Sequence, residues 1–176
     1  MGAPVFLCGM MGSGKSAVGR SLAGTLGVTF VDLDMRIERM FGVTVEQAFG
    51  RGEGAFRDLE AEALRSLLAE PAFGARRSIV ATGGGTVVDA DNRARIDACG
   101  PRVLLRAEPE TLAARLVGAQ AQRRPLVAAA ADPTQRLRAL WRSRREAYES
   151  GAVVVSAEGS VDQVAGRVLE ALDLRP

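Results

Sequence analysis

Short apolar runs alternate with longer amphipathic segments along the chain. Apolar runs bounded by Gly, Pro or polar residues are typical of buried strands, and apolar positions repeated every three or four residues are typical of helices. The pattern predicts strands at residues 5–8, 29–31, 78–81, 102–105 and 153–155. It predicts helices at 15–26, 34–41, 53–70, 89–98, 109–117 and 161–172. Because parallel crossovers join strands that are separated by helices, we expect an α/β three-layer sandwich with a parallel sheet.

The weakest periodicity lies at about residues 118–133, where alanine occupies all of positions 128–131. This segment is predicted to be a lid that closes over a ligand, or a simple surface loop. No linker or internal repeat divides the sequence, so we expect residues 1–176 to form a single domain. Hydrophobic residues make up 47% of the sequence and charged residues 25%, which is the balance of a globular protein.

The composition bears on which kinds of site the protein can have and on the cellular compartment in which it works. Only Lys15 is a lysine among the 23 basic residues, so a compact ammonium at this position is conspicuous. There is no histidine, and Cys8 and Cys99 match no metal-ligand spacing, so a zinc site is not expected. Two isolated thiols favour a reducing compartment, and no apolar run is long enough to span a bilayer. We expect a cytoplasmic monomer without membrane or nucleic-acid partners.

Residues 9–16 carry the most specific motif. The sequence Gly-Met-Met-Gly-Ser-Gly-Lys-Ser matches G-x-x-x-x-G-K-[ST] and lies between a predicted strand and a predicted helix, as in P-loops. Its glycines let main-chain N–H groups surround phosphate oxygens, and the helix dipole adds a positive end. Lys15 is expected at the β- and γ-phosphates, and the Ser16 hydroxyl on Mg²⁺. The alternative is a glycine-rich turn that binds no ligand. The predicted nucleotide contacts in this segment are Gly12, Ser13, Gly14, Lys15, Ser16 and Ala17.

Two carboxylates, Asp32 and Asp34, follow the second predicted strand. They are expected to face the ligand crevice, because it lies at the C-terminal edge of a parallel sheet. One carboxylate can hold the hydration shell of Mg²⁺, and the other can orient a substrate hydroxyl. Alternatively, either one caps the following helix, and for Asp34 the two roles are compatible.

These motifs and several others together resemble the shikimate kinase family, and the resemblance covers most of the chain. The matching segments are 9–16, Asp32-x-Asp34, Ile37-Glu38, Gly52-Glu53, Phe56-Arg57-x-x-Glu60, Gly83-Gly84-Gly85, Arg124-Pro125-Leu126 and Arg144-x-x-x-Tyr148. The resemblance implies a P-loop NTPase type of fold, with a five-stranded parallel sheet in the order 2-3-1-4-5. It also implies a substrate-binding region at about 33–62 and a mobile lid at about 118–133.

On the acceptor side, the resemblance implies that Arg57 and Arg144 clamp the shikimate carboxylate. It implies that Asp34 binds ring hydroxyls, helped by the glycine run Gly83, Gly84 and Gly85. The residues themselves leave two alternatives open. Arg57 and Glu60 are three apart on a helix, so they form a surface ion pair or a pre-oriented fork for a carboxylate. The three glycines form a plain turn or a bare backbone that a sugar-like ring can approach.

On the nucleotide side, the resemblance implies that Asp32 reaches Mg²⁺ through water and that Arg115 covers the adenine. It implies that Arg124 meets the transferring phosphoryl group, and the adjacent Arg123 is an alternative. Val127 stands where the family usually has a second leucine after Arg-Pro-Leu.

The predicted activity is transfer of the γ-phosphoryl group of ATP to the 3-hydroxyl of shikimate, a step of aromatic amino acid biosynthesis. In this hypothesis Mg²⁺, Lys15 and Arg124 neutralise charge on the phosphoryl group, and Asp34 orients the hydroxyl or accepts its proton. The alternatives are a gluconate or nucleoside monophosphate kinase of the same class, and a nucleotide-binding regulatory module without turnover.

Overall fold

A computed structural model of the protein describes residues 2–116, 127 and 130–175. Its strands are β1 (Val5–Cys8), β2 (Thr29–Asp32), β3 (Ser78–Ala81), β4 (Arg102–Arg106) and β5 (Val153–Ser156). The helices are α1 (Lys15–Leu26), α2 (Leu33–Phe41), α3 (Val45–Gly50), α4 (Glu53–Leu68), α5 (Ala90–Cys99), α6 (Pro109–Arg115), α7 (Pro133–Glu149) and α8 (Val161–Ala171). Short 3₁₀ turns lie at Phe73–Ala75 and Thr86–Val88.

The five strands form one parallel sheet in the order β2-β3-β1-β4-β5, which confirms the expected fold class and strand order. The central strand β1 pairs with β3 on one side and with β4 on the other. All four of its residues are buried, because helices cover both faces of the sheet. The motifs that follow β1, β2 and β3 therefore meet at one edge of the sheet.

Alternate side chains of β1 enter two separate hydrophobic clusters. Phe6 and Cys8 pack in the larger cluster, which includes buried side chains from α2, α4, α5, α6 and α7. Val5 and Leu7 pack on the opposite face of the sheet against α1 and α8. This alternation is the two-residue period of a strand, and it explains why the run reads as continuously apolar.

Among the described residues, two helices were absent from the sequence prediction. Helix α3 has only six residues and begins at a capping box formed by Thr44 and Gln47. Helix α7 buries only Leu137, Leu140 and Tyr148 in 17 residues, so its apolar stripe is too narrow to stand out among its arginines. The other predicted elements are confirmed, with boundaries shifted by one or two residues.

The C-terminal end of α7 is attached to the sheet by a buried arginine. Arg102, at the start of β4, pairs with Asp97 and donates hydrogen bonds to the main-chain oxygens of Ala147 and Ser150. A cation at this position satisfies carbonyls that a helix end leaves without intrahelical partners. In the described ranges, no helix combines the length and the apolarity that crossing a bilayer requires.

Candidate active site

The P-loop wraps from the end of β1 to the first turn of α1. Gly14 has a φ of +89° and precedes Lys15, the first residue of the helix. Gly9 has a φ of +138°, and a Cβ there would lie 2.6 Å from the main-chain oxygen of Leu105, so a side chain has no room. These conformations explain the glycines of the motif, and they leave the N-terminus of α1 directed at the loop.

Two polar side chains of the loop, Lys15 and Ser16, form hydrogen bonds. The Lys15 ammonium donates to the main-chain oxygens of Gly9 at 2.9 Å and Met10 at 3.0 Å. The Ser16 hydroxyl donates to Asp32 Oδ2 at 2.6 Å, which joins the two residues predicted at the metal. The hydroxyl of Ser13 is buried and has no hydrogen-bond partner among the described atoms.

The loop borders a groove of about 670 Å³ at the C-terminal edge of the sheet. Of the predicted nucleotide contacts, Gly12, Gly14, Lys15, Ser16, Ala17 and Arg115 line this groove, together with Asp32, Asp34 and Gly84. Arg115 also donates a hydrogen bond of 2.9 Å to the main-chain oxygen of Ala157, in the loop after β5. The sequence prediction had not placed this loop near the nucleotide groove.

The two aspartates differ in their local roles. Asp32 is the N-cap of α2, and its Oδ1 accepts hydrogen bonds from the main-chain N–H groups of Asp34 and Met35. The capping alternative therefore holds for Asp32, whose other oxygen binds Ser16. The capping alternative does not hold for Asp34, because α2 begins at Leu33 and Asp34 lies within its first turn. Asp34 is one of the residues that line the groove.

Arg57 and Glu60 form the predicted pair, but it is not a surface pair. Arg57 Nη1 lies 2.7 Å from Glu60 Oε2, and the Glu60 side chain is only 1% exposed. Thr86 donates a second hydrogen bond of 2.6 Å to Glu60 Oε1. Burial raises the pKa of the Glu60 carboxyl, while the charge of Arg57 and the hydrogen bonds from Thr86 and Arg57 oppose that rise. The pair thus fixes a guanidinium beside Gly85.

A second carboxylate connects the two predicted clamp arginines. Glu53 Oε1 lies 2.9 Å from Arg57 Nη2 and 3.6 Å from Arg144 Nη2. Burial alone would lower the pKa of Arg57, but the charges and hydrogen bonds of Glu60 and Glu53 outweigh it and raise that pKa. Arg57 and Arg144 come from different helices, and the structure brings both to the same Glu53 carboxylate. The bridging position of Glu53 was missed, although its spacing of four residues from Arg57 was a usable signal.

The glycine run lies where side chains would collide with the charged groups. A Cβ on Gly83 would be 2.1 Å from Glu60 Oε1 and 3.0 Å from Asp34 Oδ1. A Cβ on Gly85 would be 2.0 Å from Arg57 Nη1. Gly84 is less crowded, and it lies near the P-loop, with its hypothetical Cβ 3.8 Å from the Met11 amide nitrogen. The run is therefore more than a plain turn, since its bare backbone separates the P-loop from the arginine pair.

Two predicted features lie outside the described residues. These are Arg124 and most of the predicted lid at 118–133. Val127 is described, and its side chain is 2% exposed within the larger hydrophobic cluster. The remaining predicted site residues are brought to one edge of the sheet, on both sides of the glycine run.

The fold and the site define a P-loop kinase of small molecules. The fold is shared by a gluconokinase from Sinorhizobium meliloti 1021, with a TM-score of 0.62 over 97% of this chain and 91% of that one, but at 17% identity this likeness shows the fold alone. The family model described as "Shikimate kinase" matches residues 11–173. The chain belongs to the shikimate kinase family.

Individual relatives agree with this assignment. The shikimate kinase of Symbiobacterium thermophilum is 42% identical over 174 residues, which cover 97% of each chain. The structure of "Shikimate kinase from Acinetobacter baumannii in complex with shikimate" matches with a TM-score of 0.87 and 32% identity, over 98% of this chain and 93% of that one.

Proposed function

We propose that this protein transfers the γ-phosphoryl group of ATP to the 3-hydroxyl of shikimate. One observation carries the proposal: Gly84 lines the P-loop groove, and the next residue, Gly85, lies against the Arg57 guanidinium. Arg57, Glu53 and Arg144 form one cluster, which is the proposed acceptor pocket, so donor and acceptor can meet. The similar structure of the Acinetobacter baumannii shikimate kinase is a complex with shikimate, which supports the choice of acceptor.

The acceptor pocket suits an anionic polyol. Arg57 is held by two carboxylates, so its fork is pre-oriented for a third one on the substrate. Arg144 lies beside the same Glu53 and supplies a second cation. In this proposal Asp34 binds the reacting hydroxyl, since its Oδ1 lies near Gly83 at the bare backbone. Its main contribution is then orientation, because a loose phosphoryl-transfer transition state demands little proton removal.

On the donor side, the proposal assigns the β- and γ-phosphates to the P-loop amides and to Lys15. The Lys15 ammonium already lies over the loop, bonded to two of its carbonyls. A compact cation at this place stabilises the charge that develops on the transferring group. Arg124, outside the described residues, is proposed as a second cation for that group. Arg115 is proposed to cover the adenine next to the loop after β5.

Mg²⁺ is the expected cofactor, and the residues present fit it. The Ser16 hydroxyl and the Asp32 carboxylate adjoin at 2.6 Å on the groove wall, and both are hard oxygen groups. The described residues contain no group of three acidic, histidine or cysteine side chains, which agrees with an ion that takes its other ligands from phosphates and water. Bound there, the ion would neutralise phosphate charge.

The alternatives are tested by measuring ADP release with a panel of acceptors. Shikimate, gluconate, AMP and buffer alone are compared at saturating ATP, with and without Mg²⁺. We expect kcat/KM for shikimate to exceed that for gluconate or AMP by at least about 100-fold. Phosphorus NMR of the product should place the phosphate on the 3-hydroxyl. Preferential turnover of another acceptor would refute the substrate, and the absence of acceptor-dependent ADP release would favour a regulatory module.

A further inference from the structure

Tyr148 lies between two parts of the acceptor pocket but has no role in the reaction described so far. It occupies the last turn of α7, four residues after Arg144, so both side chains project from one face of the helix. Its ring is fully buried and stacks on Trp141, with 6.0 Å between ring centroids and 12° between planes. Its hydroxyl donates a hydrogen bond to the main-chain oxygen of Gly84.

The hydrogen bond from Tyr148 orients the whole peptide unit between Gly84 and Gly85, and not only the Gly84 carbonyl. The oxygen of Gly84 and the N–H of Gly85 belong to one planar peptide unit and point in opposite directions. Holding the oxygen therefore sets the direction of the Gly85 N–H. Glycines resist rotation of such a unit poorly, because their φ and ψ are the least restricted. Gly85 also lies directly against the Arg57 guanidinium, so this peptide borders the proposed carboxylate site.

The charge of Arg144, one helical turn earlier, acts on the same hydroxyl. Burial raises the pKa of Tyr148 to about 12, and the charge of Arg144 and a hydrogen bond from it act in the opposite direction. The phenol is therefore protonated at neutral pH. A protonated phenol is what the hydrogen bond to the Gly84 oxygen requires, because only the O–H form can donate.

We propose that Tyr148 is a positioning residue for the acceptor. Its hydroxyl holds the Gly84–Gly85 peptide in one fixed orientation beside the Arg57 guanidinium, at the proposed site of the substrate carboxylate. This inference rests on the proposed function, since it assigns shikimate to the pocket. This positioning role differs from core packing, because positioning depends on the hydroxyl oxygen of Tyr148 and packing depends on its ring.

Tyr148→Phe separates the two roles, since it keeps the ring and removes the oxygen. We expect KM for shikimate to rise about 10-fold, which is the loss of one well-placed hydrogen bond, with KM for ATP changed less than about 2-fold. The matched control is Trp141→Phe, which disturbs the packing on the same ring and leaves the hydroxyl in place. Dissociation constants for shikimate and for its methyl ester, measured by calorimetry on both variants, locate the effect on the ligand.

The inference is supported if Tyr148→Phe weakens binding of shikimate but not of the ester, and Trp141→Phe weakens neither selectively. It is overturned if Tyr148→Phe binds shikimate as the parent protein does, if shikimate and ester lose affinity equally, or if Trp141→Phe reproduces the loss. A parent protein that does not phosphorylate shikimate refutes the proposed function and this inference together. An active parent with an unchanged Tyr148→Phe variant refutes the inference alone.

Discussion

Replacing Arg57 with alanine tests whether the same residue stabilises the fold and binds the acceptor. Glu60 is 1% exposed and is bonded to Arg57 at 2.7 Å and to Thr86 at 2.6 Å. Removing the arginine leaves a buried carboxylate with its charge uncompensated, which typically costs about 3–5 kcal/mol. Because Arg57 is itself 27% exposed, we expect the lower end, a loss of about 3 kcal/mol at pH 7.5.

The loss of stability should depend on pH, and the direction of this dependence follows from the pKa of Glu60. Its pKa is already raised in the folded protein, and losing Arg57 raises it further. A carboxyl with a raised folded-state pKa stabilises the fold below its unfolded-state pKa, and that contribution is lost as the pH rises through the folded-state pKa. Between the Glu60 pKa of the parent and the higher one of the variant, the deficit should therefore shrink by about 1.4 kcal/mol for each unit of falling pH.

Urea unfolding at pH 7.5 and 5.5 measures the free energy of unfolding of each variant. Arg57→Ala/Glu60→Gln should recover most of the stability at pH 7.5, because no buried charge remains. Its KM for shikimate should stay raised by about 100-fold, since the substrate carboxylate has lost a charged partner. The matched control is Arg65→Ala on the same helix, which removes an exposed pair with Glu62 and should change stability by less than about 0.5 kcal/mol.

A buried, uncompensated charge on Glu60 is refuted if Arg57→Ala loses the same free energy of unfolding at both pH values. It is also refuted if adding Glu60→Gln to Arg57→Ala restores no stability. Restored shikimate affinity in the double variant would place the substrate carboxylate elsewhere. A collapse of ATP affinity with shikimate affinity retained would show that the acceptor pocket is misplaced.

Three further predictions concern Lys15 and the two aspartates. Lys15→Met should keep the fold and reduce kcat at least about 1000-fold, corresponding to about 4 kcal/mol of barrier, and near-parental turnover in a folded variant would contradict the P-loop assignment. Asp32→Asn should keep the helix cap, because asparagine also caps well. It should raise the Mg²⁺ concentration needed for half-maximal rate, and an unchanged Mg²⁺ titration would show that Asp32 is not part of the metal site. Asp34→Asn should keep ATP affinity, and its single-turnover rate and its affinity for shikimate are then measured. A lost rate with retained affinity indicates that Asp34 is a base, and a lost affinity indicates that it orients the hydroxyl. If both rate and affinity are unchanged, Asp34 lies outside the site.

The sequence was sufficient for the strands and the P-loop because both depend on local rules. Val5–Cys8 is apolar throughout since helices cover both faces of the sheet, and that coverage is general to parallel sheets. Gly9 and Gly14 are needed for positive φ angles, which is a property of single residues. The strand order came from the resemblance and not from the pattern, because periodicity carries no information on which strands are neighbours.

Helix α7 shows where local rules fail. Its buried residues are few, and its position is set by contacts with distant parts of the chain, such as the bonds from Arg102 to Ala147 and Ser150. The choice between Asp32 and Asp34 as the cap was equally undecided by the sequence. It depended on whether the helix begins at residue 33 or 35, and hydrophobic spacing does not define boundaries that closely.

By itself, the sequence determined the chemical groups: one lysine in a P-loop, two aspartates after a strand, three glycines and an Arg–Glu pair three residues apart. Only the tertiary structure decided how those groups are connected. It buried Glu60, placed Glu53 between Arg57 and Arg144, and brought the Tyr148 hydroxyl to Gly84. These connections join helices and loops that are far apart in the chain, and burial and hydrogen bonding between such elements arise only when the sheet and its helices pack together.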